Sequence, residues 1–417
     1  MEPEYALLTI GVALILGKIG DHIIERFELP GVLGEIFIGM LLGNLIFFGI
    51  LPNSALILHD ETFEFLAKIG IIFLLFLGGL DTEVEMVKKT GVVATVSTIG
   101  GVFVPLILGY ITGFYLLKFS SREAFTMGVL LTATSIGITV RVMMDLGVLR
   151  SEVGAASLSA SIMDDFLGIA LIIFAVGSGS VLELGEKIAL FFFITGIIAW
   201  YAIDKYVKFA EWLRVEMGVL ALSIGLMFIF SALAEKWFQA AIEGAFMSGL
   251  VLSKLPEGKR VMEEVRSIGY GLFIPLFFVY VGAQLDLRVF THGDAIKLAT
   301  IITLLAILGK VLGRGIFARL AGWDWRKSIQ MGIGSIPRLE VALVAVMVAI
   351  HGGAIPKAHA QYFMAATLVF VTVTTLITPP LLKLAFKSEI EAMKKQKVEK
   401  RKIAIEESKQ RISEVKK

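Results

Sequence analysis

The chain has 417 residues, of which 56% are hydrophobic and 18% charged, with a formal net charge of +2; an ordinary soluble domain is about 45–50% apolar and about 25% charged. That is too much apolar material for one aqueous core, and the basic residues lie in short connectors and a tail rather than along a groove, which argues against nucleic acid as a ligand. No cysteine is present, so disulfides, thiolate chemistry and cysteine metal sites are excluded.

Read in chain order, the apolar runs predict an all-α, polytopic membrane protein. A spanning helix needs about 20 mostly apolar residues, and about thirteen segments meet that rule. They lie at 5–25, 30–50, 63–80, 92–117, 123–147, 152–177, 186–204, 215–233, 237–254, 264–284, 296–320, 327–350 and 358–386. Glu2 and Glu4 stand where a secretory signal would carry basic residues, so the first run reads as a retained span. His22, His59, His292, His351 and His359 fall in loops or at helix ends, with no spacing that resembles a zinc site; no cofactor is expected.

The connectors set the orientation. Those holding Arg26, Lys88, Lys89, Arg150, Lys205, Lys208, Arg214, Lys254, Lys259, Arg260, Arg266, Arg319, Arg326 and Lys327 outnumber the alternate set by about two to one in basic residues. This predicts an outside N-terminus and a cytoplasmic C-terminus. Residues 387–417 read as a charged, solvated cytoplasmic tail able to touch anionic lipid. No Walker-type glycine loop occurs, so ion gradients are the expected energy source.

Two spans look unsuited to continuous helix. The segment 131–139 clusters Thr132, Thr134, Ser135 and Thr139, and 331–338 carries Gly332, Gly334 and Pro337. Broken segments at corresponding places in two halves point to an inverted-repeat transporter site, because irregular backbone at membrane depth survives only inside protein or beside a water-filled cavity. Ordinary kinks are the alternative.

Charge inside the membrane carries the chemistry. Asp164 and Asp165 are adjacent in mid-span, Lys310 lies within another span, and Arg338 and Glu340 flank the second broken segment. Each unpaired charge at the bilayer centre costs roughly 2.5–3.5 kcal/mol, so these groups need partners, water or neutralisation. Neighbours on a helix point about 100° apart, which assigns the two aspartates different roles. One can pair with Lys310 while the other faces a water-filled cavity and holds either a proton or a partly dehydrated cation. Na⁺ at Asp165 could complete its shell from Thr132, Thr134 and Ser135 hydroxyls, freed carbonyls and water, since hard cations prefer oxygen. The alternative for Asp164 and Lys310 is an ion pair that only locks helices. Arg338 and Glu340 read as charges supporting the broken helix. Arg141 and Arg314 read as snorkelling or paired near a membrane face, and Glu35 and Glu243, near helix starts, as structural.

The Thr132 to Thr139 segment, the Asp164–Asp165 pair and the intramembrane Lys310 together resemble the two-aspartate, NapA/NhaA-type branch of the monovalent cation:proton antiporters. Pro30 to Gly43, Gly244 to Ser253 and Phe278 to Gly282 add to the match, which spans residues 1–386. The resemblance implies inverted repeats with two discontinuous helices crossing near the membrane centre. It implies a homodimer with dimerisation helices at about 1–80 and 215–284, core helices at about 92–177 and 296–386, and a linker helix at about 186–204. It makes Asp165 the principal carrier of cation and proton and Asp164 the partner of Lys310. Na⁺ or Li⁺ is then exchanged for H⁺ by alternating access, electrogenically, in a cell membrane. K⁺/H⁺ exchange stays open, because no sequence feature measures cavity size. An intramembrane aspartyl protease would need carboxylates converging from separate helices, and a gated channel would need conduction without proton movement.

Overall fold

A computed structural model describes residues 3–176 and 217–395, apart from short gaps at 28, 53–55, 83, 239–240, 255–257, 285–286, 289–292, 339 and 394, and a few positions between 182 and 194. The expected linker helix at 186–204 and most of the tail lie outside the described residues. All regular elements among those residues are helical: α1 (Pro3–Glu25), α2 (Val32–Phe47), α3 (Glu61–Asp81), α4 (Val84–Ile111, continuing as a π-turn over Thr112–Leu116), α5 (Ser121–Thr132), α6 (Ile136–Asp145) and α7 (Glu152–Val176). The second half contains α8 (Gly218–Phe238), α9 (Ala241–Leu252), α10 (Gly258–Ile268), a π-turn over Gly269–Phe273, α11 (Ile274–Ala283), α12 (Gly293–Leu320), α13 (Trp325–Ile333), α14 (Glu340–His351) and α15 (Lys357–Ala385). Eight of the described helices are long and apolar enough to cross a membrane, so the chain is a multi-pass membrane protein.

The ends follow local chemistry. Ser120 and Glu123 form a reciprocal capping box at the start of α5, and Asp60 and Asp324 accept backbone N–H bonds at the starts of α3 and α13, filling donors that a first turn leaves open. Two starts differ from the apolar runs: α4 begins at Val84 rather than 92, and α10 at Gly258 rather than 264. In both, a polar turn continues the helix beyond its membrane-length stretch, where hydropathy gives no signal.

Packing relates the halves. Helices α4 and α12 pack on one another, α2 packs on α11 and α3 on α9; likewise α4 contacts α5 and α7 as α12 contacts α13 and α15, and α1 sits on α2 as α8 sits on α9. These contacts of the first half thus have counterparts in the second, as two related repeats would give. The fifth unit of each repeat is the interrupted one, α5/α6 and α13/α14.

The helices also fall into two packing groups. One contains α1–α3 and α8–α11; the other contains α4–α7 and α12–α15. Helix α3 against α6 makes the most extensive contact between them, with Gly137 of α6 against Ile71 and Gly78 of α3 against Val140. Within the first group, α3 and α9 approach backbone to backbone: a Cβ on Gly79 would lie 2.2 Å from the Phe246 carbonyl, and one on Gly249 2.2 Å from that of Phe76. Small residues permit such approaches in a bilayer, where apolar burial alone does not drive helices together.

Candidate functional site

The two interruptions meet. Helix α5 stops at Thr132, the backbone is extended at Ser135, and α6 starts at Ile136; α13 stops at Ile333 and 334–338 runs irregularly before α14. The Ser135 N–H donates to the Pro337 carbonyl (2.8 Å), and the Thr139 hydroxyl donates to the Gly334 carbonyl (2.6 Å). Thr132, by contrast, donates within its own helix, to the Val129 carbonyl (2.7 Å).

Arg338 gathers the carbonyls that the breaks release. Its Nη1 lies 2.7 Å from the Ser335 oxygen, 2.9 Å from that of Ile336 and 3.2 Å from that of Pro337, and its Nη2 lies 3.2 Å from the Leu131 oxygen. These carbonyls belong to the C-terminal ends of α5 and α13, where helix dipoles favour a cation. Thr375 of α15 in turn donates to the Arg338 carbonyl (3.0 Å). The guanidinium is therefore a backbone cap for both broken helices. Glu340 is the first residue of α14, and its side chain lies outside the described residues.

Asp164 and Asp165 sit midway along α7, 1% and 6% exposed, and Lys310, Arg314 and Arg338 are each fully buried. All the donors to Asp164 converge on one oxygen. Lys310 Nζ lies 2.6 Å from Oδ2, the Thr134 hydroxyl donates to it at 2.9 Å, and the Arg314 guanidinium also pairs with it. Oδ1 has no hydrogen-bond partner among the described residues. Arg314 therefore does not snorkel to a membrane face; it points into the core, because α12 turns the Lys310 and Arg314 face toward α7. Their spacing of four residues places both on one helix face, a signal present in the sequence.

Asp165 is turned from this cluster by the helix rotation, and its side chain is hydrogen-bonded to Glu243 of α9. Glu243 is 5% exposed. A hydrogen bond between two carboxyl groups requires a proton on one of them. Position near a helix start pointed to a structural glutamate; the folded chain sets it against the second aspartate, across the boundary between the two packing groups.

A second cluster of charge spans that boundary elsewhere. Glu35 of α2 is fully buried, with Lys18 Nζ of α1 at 2.8 Å and Arg141 Nη1 of α6 at 3.9 Å. Arg141 Nε also donates to Asp145 Oδ2 (3.0 Å), and its guanidinium lies over the Tyr270 ring, 4.4 Å from the centroid. Tyr270 belongs to the π-turn ahead of Pro275, a residue with no N–H to give to a regular helix. Arg150, just before α7, adds a pair to Asp81 at the end of α3 (2.6 Å).

The comparisons with known proteins cover the whole apolar chain. Residues 11–384 match the family described as sodium/hydrogen exchanger, transmembrane. The Na⁺/H⁺-K⁺ antiporter GerN of Bacillus cereus is 30% identical over 403 residues, 95% of this chain and all of the relative. A Na⁺/H⁺ antiporter of Enterococcus hirae is 30% identical across 89% of this chain and 95% of its own length. Among solved structures, the sodium proton antiporter MjNhaP1 of Methanocaldococcus jannaschii at pH 8 superposes with a TM-score of 0.63 at 20% identity, covering 94% of this chain and 98% of that one.

Proposed function

The chain belongs to the transmembrane sodium/hydrogen exchanger family, and from that premise we infer that it is a secondary antiporter, not an enzyme, exchanging Na⁺ or Li⁺ for H⁺ across the membrane it spans. One observation carries the assignment to residues. Of two adjacent buried carboxyl groups, Asp164 is charge-compensated by Lys310 and Arg314, while Asp165 faces Glu243 on the other packing group. A pair that only locked helices would account for Asp164 and leave Asp165 unexplained.

Asp165 is the exchanging group. Its carboxylate holds a proton or a cation, never both, because protonation removes the charge and the oxygen lone pair that a hard cation needs. With no cation bound, the Asp165–Glu243 contact shares one proton between the two carboxyl groups. Arriving Na⁺ displaces the proton and takes oxygen ligands from Asp165, the open Oδ1 of Asp164, freed carbonyls at the crossing and water. The Thr134 hydroxyl, which donates its hydrogen to Asp164, keeps lone pairs for the same ion; Thr132 and Ser135 border the site through the broken backbone. Arg338, with Glu340 beside it in sequence, supports the crossing instead of carrying ions.

The grouping of helices supports a reading of alternating access. The core, at about 92–177 and 296–386, moves against a scaffold at about 1–80 and 215–284, with the α3–α6 contact as the moving surface. The scaffold forms the homodimer, lipid surrounds both, and the N-terminus lies outside with the C-terminus in the cytoplasm. Two carboxylates at the site favour electrogenic exchange. K⁺ is the second reading, because the name of GerN includes K⁺. A series of Na⁺, Li⁺ and K⁺ pulses separates the two.

The test uses proteoliposomes of the full chain carrying an imposed pH gradient. Na⁺ addition discharges the gradient in the parent protein. Asp165→Asn, whose amide can still hydrogen-bond Glu243, purifies as folded protein and fails to discharge it. Parent-like exchange by that variant would reject the assignment.

A further inference from the structure

Asp164 has two buried countercharges where the transport reading needs one. Lys310 Nζ and the Arg314 guanidinium reach the same oxygen, Oδ2, and all three residues are buried to 1% exposure or less. The second cation is not an accident of surface packing. Helix α4 clears a channel for its stem: a Cβ on Gly101 would lie 2.7 Å from Arg314 Cγ and 2.9 Å from its Nε. One residue earlier on each helix, Gly100 and Gly313 bring the backbones together, so that a Cβ on Gly313 would lie 2.3 Å from the Gly100 carbonyl. The crossing that binds α4 to α12 is shaped around the arginine side chain.

The remaining donors of Arg314 show what it is for. Its Nε and Nη1 have no hydrogen-bond partner among the described residues, so Asp164 is the acceptor that holds this charge in the core. Arg338, which supports the broken helices, is held by backbone carbonyls through both of its Nη atoms, whereas Arg314 is held by a carboxylate. Guanidinium stays charged at every physiological pH, so its compensation of Asp164 does not lapse at any stage of a transport cycle.

We propose that Arg314 is a positioning residue for ion exchange, holding Asp164 ionised and oriented independently of Lys310, so that Lys310 is not the obligatory countercharge of the site. The proposal rests on the reading that the Asp164–Asp165 pair carries exchange. It predicts redundancy: either cation alone keeps Asp164 in place, and loss of both leaves a lone carboxylate in a sealed interior, which is strongly destabilising.

The experiment measures Na⁺-driven discharge of a pH gradient, giving Vmax and KM for Na⁺, in proteoliposomes of the full chain, with thermal stability in detergent followed alongside. Lys310→Gln and Arg314→Gln each retain exchange, with Vmax lowered no more than about tenfold, the scale of one lost charge-assisted bond. The Lys310→Gln/Arg314→Gln double variant falls by more than about a hundredfold, beyond the product expected of independent sites. Lys310→Gln/Arg314→Lys recovers exchange, whereas Lys310→Gln/Arg314→Met, which fills the channel without charge, does not. The proposal is overturned if folded Lys310→Gln is as inactive as Asp164→Asn, if the double variant is no worse than the weaker single, or if methionine rescues as well as lysine. Should the double variants fail to fold, Lys310→Gln alone decides. A parent protein that does not exchange Na⁺, or an active Asp165→Asn, would fault the underlying reading and leave the charge pairing untouched.

Discussion

The Asp164 cluster and the Arg141 cluster use the same chemistry for opposite ends. Around Asp164, every partner lies in the core group: Thr134 beside the α5 break, Lys310 and Arg314 on α12. Around Arg141, the partners are divided, with Asp145 on its own helix and Glu35 and Tyr270 on the scaffold. Charges tied within one body can travel with it intact. Charges tied across two bodies must part if those bodies shift, so the Arg141 cluster, with Arg150–Asp81, is placed where it could act as a clasp between them.

Asp164→Asn tests the contrast most severely. It strands Lys310 and Arg314 in the interior, and breaking a buried pair in this way costs about 3–5 kcal/mol. Exchange is expected to vanish and thermal stability to drop together, unlike Asp165→Asn, which loses exchange alone. Size-exclusion after graded heating reads the difference. Gly101→Leu comes next: overpacking against the Arg314 stem costs about 1–3 kcal/mol, and exchange falls because the guanidinium is pushed from Asp164. An Arg314→Ala change in the same chain, which empties the channel, should restore part of the stability but not accelerate exchange.

Arg141→Gln probes the clasp. Glu35 keeps its Lys18 partner, so the stability loss is expected to be smaller, about 1–2 kcal/mol, and exchange changes in rate instead of disappearing. A Vmax change of several-fold with unaltered KM for Na⁺ would mark a clasp; complete inactivity would place Arg141 with the ion site and erase the distinction drawn above.

The smallest effect lies at the end of α15, where the start of the tail grips α13. Gln330 Nε2 donates to Glu389 Oε1 (2.7 Å), and Arg326 pairs with the same carboxylate (2.5 Å). Partial burial acts upward on the Glu389 carboxyl, but the Gln330 bond and the Arg326 charge outweigh it and hold its pKa below the usual glutamate range. The folded form thus binds its proton less readily than the unfolded one. Its stabilisation is present above the ordinary glutamate pKa and is lost as pH falls through the lowered folded value. Glu389→Gln is expected to cost less than about 1 kcal/mol, as exposed pairs do, and to flatten the acid limb of a stability profile by that amount.

Much of this molecule could be read from its residues in order. Twenty-residue apolar runs announced the spans because a bilayer core forces that length, and Gly334, Pro337 and the hydroxyl cluster at 132–139 marked the breaks because regular helix is costly there. Asp164, Asp165 and Lys310 stood out because charge in an apolar run is expensive. Less legible is Arg314, which the sequence alone reads as snorkelling or paired near a membrane face and which the approach of α12 to α7 pairs with Asp164 in the core. Glu243 likewise has nothing local to separate it from a glutamate favoured by a helix N-terminus.

The sequence by itself determined that the chain crosses a membrane many times, where its helices break, and which buried charges cannot stand alone, since each of these follows from the cost of placing particular residues in hydrocarbon. Tertiary structure decided which partner each charge received. Pairing depends on how helices distant in sequence rotate and approach: Gly100 against Gly313 brings Arg314 to Asp164, the Ser135–Pro337 bond crosses the two breaks, and the rotation between neighbours on α7 sends Asp165 toward Glu243. No local pattern encodes those approaches, because the energy that fixes them belongs to surfaces made only when the helices are packed.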